Sequence, residues 1–327
     1  MTKLILLTLN KHKEGIWITN LVRALRDVGQ EDIRIVAVEE FFDASPSIRA
    51  LFDGTRAIIN RVSDAADPAS FKITSSVLMA ASKRGIPVFN GPEAYALCAN
   101  KYCHHVIFDL AGVQTPPSRV VNILKRADYE DCIRQVGNIN STLQYPLLIK
   151  PNAGGFGAGI HRLDSEKDSI TGDQLYTPDG IRLIQNYIRP SDDHIYRVWF
   201  LNNQIQCSVK RTVNDTMDDV TSGCSGGVCH GPSKIVDVSF PFIACTVPVV
   251  IERDIKRIIA QIPDAHAGSI EYLYDAAEHR PVYFDLNLLS TLPIAKTVAR
   301  ADEIWAPGYD PWRELAHGIL QVCHLER

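Results

Sequence analysis

Two stretches of this 327-residue chain hold residue types that do chemistry only in company. In GSIEYLYDAAEHRPVYFDLNLLS, starting at Gly268, Asp285 and Asn287 stand two apart on an apolar strand. Alternation gives them one face and assigns Phe284, Leu286 and Leu288 to the other. If residues 275–281 form a hairpin connection, Glu271 on the preceding strand pairs with Asp285. Two carboxylates that close repel each other, and a divalent cation removes the conflict. Two carboxylates and an amide suit Mg²⁺, which takes few protein oxygens and completes its shell with substrate phosphates. The bland alternative leaves Asp285 and Asn287 solvated on an outer face, with Glu271 paired to a nearby arginine.

The second stretch, YPLLIKPNAGGFGAGIHRL from Tyr145, crowds Gly154, Gly155, Gly157 and Gly159 into one turn. Without a Cβ, such a turn lets backbone N–H groups close around phosphate oxygens. Lys150 adds a positive charge just upstream. The segment has the glycine density of a dinucleotide fingerprint, but it lies mid-chain and runs into IHRL, which alternates like a strand. No Gly-Lys-Ser/Thr follows, so it is not a P-loop. A strand–glycine loop–strand hairpin over phosphates fits; a plain glycine turn is the alternative.

Elements must bring these stretches together. Apolar strands at 4–9, 33–38, 56–62 and 87–90 alternate with helices at 18–28 and 71–84, which predicts a small open parallel sheet. The C-terminal ends of such strands face a ligand crevice, so loops 10–13 and 60–63 point towards a site. Arg61 is placed there to clamp a substrate carboxylate, with a salt bridge to a helix as the alternative; Ser63 sits beside it. Beyond residue 91, helices at 93–98, 101–111 and 127–136 precede strands at 145–150, 158–163, 181–187, 196–201 and 204–211, mostly antiparallel. A further short strand is expected at 119–121. The polar segment 215–233 reads as a mobile loop. A helix at 249–262, strands at 268–274 and 282–287, and a last helix opened by Asp310-Pro311 complete the chain. The fold class is α/β and α+β.

The formal net charge is −4 and the pI near 6.2, so no basic footprint for nucleic acid is present. Eight cysteines are scattered with no CxxC pair, as free thiols in a reducing compartment would be. No apolar run approaches a membrane span, and the N-terminal one is too short for a signal peptide. These features predict a soluble cytoplasmic protein. Cys224, Cys229 and His230 lack a fourth metal ligand and read as incidental. His104 and His105 point in different directions on their helix and read as surface or cap residues.

Taken in order, these features resemble the ATP-grasp superfamily of carboxylate–amine ligases, from about residue 90 to 292. The resemblance implies an N-terminal α/β domain at 1–90, an ATP-grasp subdomain with the glycine loop at 91–186, and a second with the metal strands at 187–327. Lys101 and Lys150 sit like the two nucleotide lysines, with Gly154, Gly155 and Gly157 over the phosphates. Gln185, Asn186, Tyr187 and Ile188 resemble the hinge whose backbone reads adenine, and Asp193 is the candidate for ribose. Lys210 and Arg211 sit like the phosphate-facing basic residues of the catalytic strand. Glu271, Asp285 and Asn287 resemble the Mg²⁺ ligands, with the usual Asp-then-Glu order inverted. Ser290 and Thr291 occupy a loop that touches substrate in this family. The implied reaction uses ATP and Mg²⁺, with Mn²⁺ as a substitute, to activate a small amino-acid-like carboxylate as an acyl phosphate. An amine then forms the amide, between molecules or by closing a lactam. A homodimer is compatible with the sequence. The alternative is an ATP-binding regulatory or scaffold protein that has lost catalysis.

Overall fold

Alternating apolar strands and amphipathic helices build a parallel sheet at the start of the chain. Strands β1 (Lys3–Thr8), β2 (Ile33–Ala37), β3 (Thr55–Asn60) and β4 (Val88–Phe89) lie in the order β2-β1-β3-β4, all parallel. The computed structural model describes residues 3–43, 48–62, 67–138, 141–154, 159–170, 172–177, 179–213, 242–288, 292–293 and 304–324. Helix α1 (Ile16–Asp27) buries Ile18, Leu21, Ala24 and Leu25, the stripe its spacing predicts. Helix α2 (Pro68–Lys83) starts where the Asp67 carboxylate accepts the N–H groups of Ala69 and Ser70, with proline in the first turn.

Helices α3 (Pro92–Cys98) and α4 (Lys101–Leu110) follow, and the Asn100 side chain caps α4 by accepting from Cys103 N–H. A second sheet holds β5 (Ser118–Asn122), β6 (Leu147–Pro151), β7 (His161–Leu163) and β8 (Ile181–Asn186), antiparallel in the order β5-β8-β6-β7. Helix α5 (Arg126–Arg134) contributes Tyr129 and Cys132 to its core. The third sheet is antiparallel, in the order β11-β10-β9-β12-β13. Its strands are β9 (His194–Leu201), β10 (Gln204–Thr212), β11 (Ile243–Ala244), β12 (Ala267–Tyr274) and β13 (Pro281–Asn287). One face packs on α4 and on α6 (Val249–Ile259), burying Val198, Phe200, Ile270, Tyr272, Tyr283 and Leu286. Gly268 lets the strands approach: a Cβ there would stand 2.9 Å from Asn287 O and 3.0 Å from Phe200.

The last helix, α7 (Pro311–Val322), opens on Asp310, whose carboxylate accepts from Trp312 and Arg313 N–H. Its Leu315, Ala316, Ile319 and Leu320 share one buried cluster with Leu4, Leu6, Leu21, Leu25 and Ile59. The core of the first sheet therefore draws on the end of the chain, not on residues 1–90 alone. Among the described residues no helix is long and apolar enough to cross a membrane.

Candidate active site

The β12–β13 hairpin sets Glu271 directly opposite Asp285, as the sequence suggests, but through two compensating departures. The connection closes one residue earlier than expected, with Tyr274 opposite Pro281. The register then shifts between Glu271 and Tyr272, so Phe284 is the extra residue of a bulge. The bulge corrects one expectation. Phe284 does not join Leu286 and Leu288 in the core; it is half-buried, and its ring centroid lies 5.5 Å from Lys150 Nζ. Tyr283 takes the core place instead.

Asp285 meets the start of α4. Its Oδ1 lies 3.7 Å from Lys101 Nζ and 3.3 Å from His104 Nδ1. Burial pushes its carboxyl upward, but Lys101, His104 and Lys150 outweigh burial and hold it well below the usual carboxylate range. Lys101 Nζ also donates to Gly154 O at 2.8 Å, and its backbone N–H donates to Asn152 O. One lysine thus links the glycine turn to the carboxylate strand.

The surface or cap reading of the two histidines does not hold, since both are buried, at 1% and 7% exposure. His104 Nε2 donates to Cys98 O at 3.0 Å while Nδ1 faces Leu286 N–H and Asp285. Its neighbour turns the other way. Burial, with Lys150 and His104 nearby, lowers His105 to about 3. Neutral His105 accepts from Gln185 Nε2 at 3.0 Å, which leaves Nδ1–H to donate to Thr115 Oγ1 at 2.8 Å. No motif flagged His104; its signal is the three-residue spacing from Lys101, which puts both on one helix face.

Lys150 is 7% exposed on β6. Burial brings its ammonium down to about 8, with Asp285 pulling up and Lys101 pushing down. Among the described residues no carboxylate lies within ion-pair distance of it; the contact that remains is the Phe284 ring. The far end of the glycine turn is held by Arg182. This side chain is 2% exposed and donates to the carbonyl oxygens of Leu175, Gly159, Gln174 and Tyr176. Gly155 and Gly157 lie outside the described residues.

On the five-stranded sheet, Glu271 is opposite both Asp285 and Arg197, and the Arg197 guanidinium forms an ion pair with it. Burial lowers Arg197 to about 10, with Asp285 raising it and Arg211 lowering it, so these groups share one field. Strand alternation separates the two residues expected to act together. Arg211 is on the face of Arg197 and Val209, whereas Lys210 is opposite Tyr196 on the other face and acts on Cys245. The alternative reading of the sequence pairs Glu271 with a nearby arginine, and that arginine is Arg197, which the strand register sets opposite it. The site thus gathers Lys101, Lys150, Arg197 and Arg211 around Asp285 and Glu271, an excess of positive charge that suits a polyanion.

At the hinge, the Gln185 side chain is buried against His105 and Ser118. Asn186 accepts from Gln144 N–H and donates to Thr142 O; its own N–H goes to Pro117 O, and that of Tyr187 to Pro146 O. Among the described residues Ile188 N–H has no backbone partner. Asp193 is exposed in the following turn at φ 56°. Arg61, at the end of β3, stacks over Trp17 with Cζ 4.5 Å from the ring centroid. Ser63, Ser290, Thr291 and segment 215–233 with Cys224, Cys229 and His230 lie outside the described residues.

The donor set fits a hard divalent cation. Glu271 and Asp285 are cross-strand partners, and Asn287, two residues on, shares their face. Among the described residues no three His, Cys, Asp or Glu side chains converge, so the third protein oxygen would be the Asn287 amide.

No family model and no curated protein matches the sequence at a significant level. Solved structures match in fold along nearly the whole chain. The ATP-grasp ligase PsnB, complexed with a minimal precursor, superposes with a TM-score of 0.65 at 16% identity, covering 98% of this chain and 100% of its own. The D-cycloserine synthetase DcsG gives 0.61 at 12% identity, covering 98% and 99%. The D-alanine–D-alanine ligase of Bacillus anthracis, complexed with ATP, gives 0.59 at 11%, covering 99% and 97%. The mixed architecture, one parallel sheet and two antiparallel ones, is that of the ATP-grasp ligases.

Proposed function

We propose that this chain, folded as an ATP-grasp ligase, uses ATP to join a carboxylate to an amine. The observation that carries the reading is Lys150, a buried ammonium with no anionic partner among the described residues, beside a glycine turn and above two paired carboxylates. A cation left so costs stability unless an anion completes it. The solved relatives include complexes with ATP, with ADP and Mg, and with a precursor peptide and AMPPNP, which supports a nucleotide as that anion.

In this reading residues 91–186 and 187–327 clamp the nucleotide, and 1–90 closes the site from the substrate side. Ile188 N–H reads adenine, and Asp193 takes the ribose. Lys101 and Lys150 neutralise the triphosphate from the glycine-loop side, with Gly154, Gly155 and Gly157 over the phosphates. Arg211 and Arg197 do so from the sheet; Lys210, on the opposite face, has no such role. Glu271, Asp285 and Asn287 would hold Mg²⁺, which offsets charge on the phosphoryl group in transit. The substrate carboxylate attacks the γ-phosphorus and ADP leaves, giving an acyl phosphate. The amine then attacks the acyl carbon, and phosphate leaves with the C–O electron pair. The fixed cations stabilise both charge-rich transition states. Arg61, Ser63, Ser290 and Thr291 are assigned to the substrate, which is small and amino-acid-like.

Thermal unfolding with millimolar MgATP, with and without EDTA, tests the site. A rise in Tm that EDTA largely abolishes is expected; an unchanged Tm refutes the nucleotide assignment. A phosphate-release screen over acid–amine pairs tests the chemistry. Binding without turnover on any pair points to the regulatory alternative.

A further inference from the structure

The glycine turn is fastened at both ends, by different parts of the fold. At its entry, Asn152 O accepts from Lys101 N–H at 3.0 Å and Asn152 Oδ1 from Tyr102 N–H at 3.2 Å, both from the start of α4. Two residues on, Gly154 O accepts from Lys101 Nζ at 2.8 Å. At the exit, Gly159 O accepts from Arg182 Nη1. Arg182 stands on β8 opposite Pro151, the last residue of β6, and Gly159 closes back onto that proline. A Cβ at Gly159 would lie 3.3 Å from Pro151 Cγ and 3.6 Å from both Nη atoms, and its φ of +71° favours glycine.

The other donors of the same guanidinium go to carbonyls at the end of the helical turn Gly172–Leu175. Nε donates to Leu175 O at 3.0 Å, and Nη2 to Gln174 O at 2.6 Å and Tyr176 O at 3.2 Å. Carbonyls left over at a helix end attract a cation. Arginine suits the place because four carbonyls on two segments need a planar fork of N–H groups, where an ammonium offers three on one atom. Burial lowers the guanidinium to about 10, against the pull of Asp179 and Tyr129. A buried cation is a costly fastening for an exposed residue such as Gly159, and apolar packing would serve stability better. What the arginine adds is a fixed position. Fixing the backbone of one residue costs about tenfold in an equilibrium, so N–H groups that are already in place bind an anion more tightly.

We propose that Arg182 is a positioning residue for the nucleotide phosphates, fastening the exit of the glycine turn so that the turn meets them already ordered. It touches no substrate and acts through Gly159. The assignment rests on the ligase reading above and adds the side chain that holds the phosphate turn in place.

Two variants of the full chain loosen the fastening from opposite sides. Arg182→Lys keeps the charge and loses the fork. Gly159→Ala keeps the guanidinium and pushes the turn off it, through backbone strain and the Pro151 contact. Each is compared with wild type by hydrogen exchange, by calorimetry with Mg–AMPPNP, and by ligand-observed NMR with adenosine, which carries no phosphate. Expected are faster exchange at residues 159–163, a Kd for Mg–AMPPNP about tenfold weaker, and adenosine binding as in wild type. The double variant should bind no more weakly than the weaker single one, because both substitutions act through one contact. A merely structural role would lower adenosine and AMPPNP binding together. Such a parallel loss, additive losses in the double variant, or unchanged Mg–AMPPNP affinity overturns the proposal. Should Arg182→Lys fail to fold, Gly159→Ala decides by the same split between adenosine and AMPPNP. If wild type binds Mg–AMPPNP and the folded variants bind it equally well, the positioning role fails alone. If wild type does not bind it, the ligase reading fails and the positioning role falls with it.

Discussion

Replacing Lys150 by methionine makes the protein more stable and useless for nucleotide. Burial brings the ammonium from 10.5 to about 8. Each tenfold loss of proton affinity is worth ~1.4 kcal/mol, so holding the charge inside the fold costs about 3 kcal/mol at neutral pH. The side chain is 7% exposed, so solvent screens little of this. Methionine is of similar length and apolar, and it faces the Phe284 ring, where a thioether packs well. At roughly 2 °C per kcal/mol for a long chain, the ligand-free Tm should rise by about 4–6 °C, while the MgATP shift disappears. The pH dependence follows from the sign of the change. Below about pH 8 lysine is charged in folded and unfolded chains alike, and the full penalty applies. Between about 8 and 10.5 the folded chain releases its proton while the unfolded chain keeps it, so rising pH favours the wild-type fold. The gap between variant and wild type, read by calorimetry, should therefore narrow from pH 7 to pH 10. A variant less stable than wild type at pH 7, with a gap constant in pH, would falsify the claim that this ammonium lacks an anion.

Asp285→Asn should lower the stability of the nucleotide-free protein at pH 7, because it strips Lys101 of its carboxylate. Asp285 has a depressed folded value, so its contribution is present at neutral pH and lost in acid. Denaturant unfolding should show the two curves converging below about pH 4, and a variant as stable as wild type at pH 7 contradicts the ion pairing. Turnover in the same variant should fall by about 10²-fold or more. Arg211→Ala should collapse turnover in a phosphate-release assay, whereas Lys210→Ala leaves it within about threefold; equal losses would mean that the sheet faces are misassigned. His104→Ala should destabilise the fold by about 1–3 kcal/mol, since Cys98 O and Leu286 N–H lose a buried partner; an unchanged urea midpoint would contradict this.

Long-period features were legible in the sequence because each repeats over several residues. The parallel unit, the succession of strands along the chain and the last helix with its Asp310-Pro311 start follow from periodicity and capping chemistry. Glu271 opposite Asp285 was legible too, though the hairpin reaches that pairing through a bulge at Phe284 that no residue type announces. Single-residue facing was read less well. Lys210 and Arg211 look like one basic pair along the chain, and alternation about the sheet splits them. His104 and His105 look like polar helix residues until the strand above one and the sheet beside the other are in place.

The packing of α7 against α1 and the first sheet also sets a timetable for biosynthesis. The strands from Leu4 to Phe89 cannot bury Leu4, Leu6 and Ile59 against Leu315 and Ile319 until the chain has been made to about Val322. At ~5–20 residues per second the ribosome takes roughly 10–50 s to cover that interval. Throughout it that face of the first sheet is covered by α1 without α7. The cover of the first sheet is therefore completed well after its strands are made, and holdase chaperones have that interval in which to act at α1.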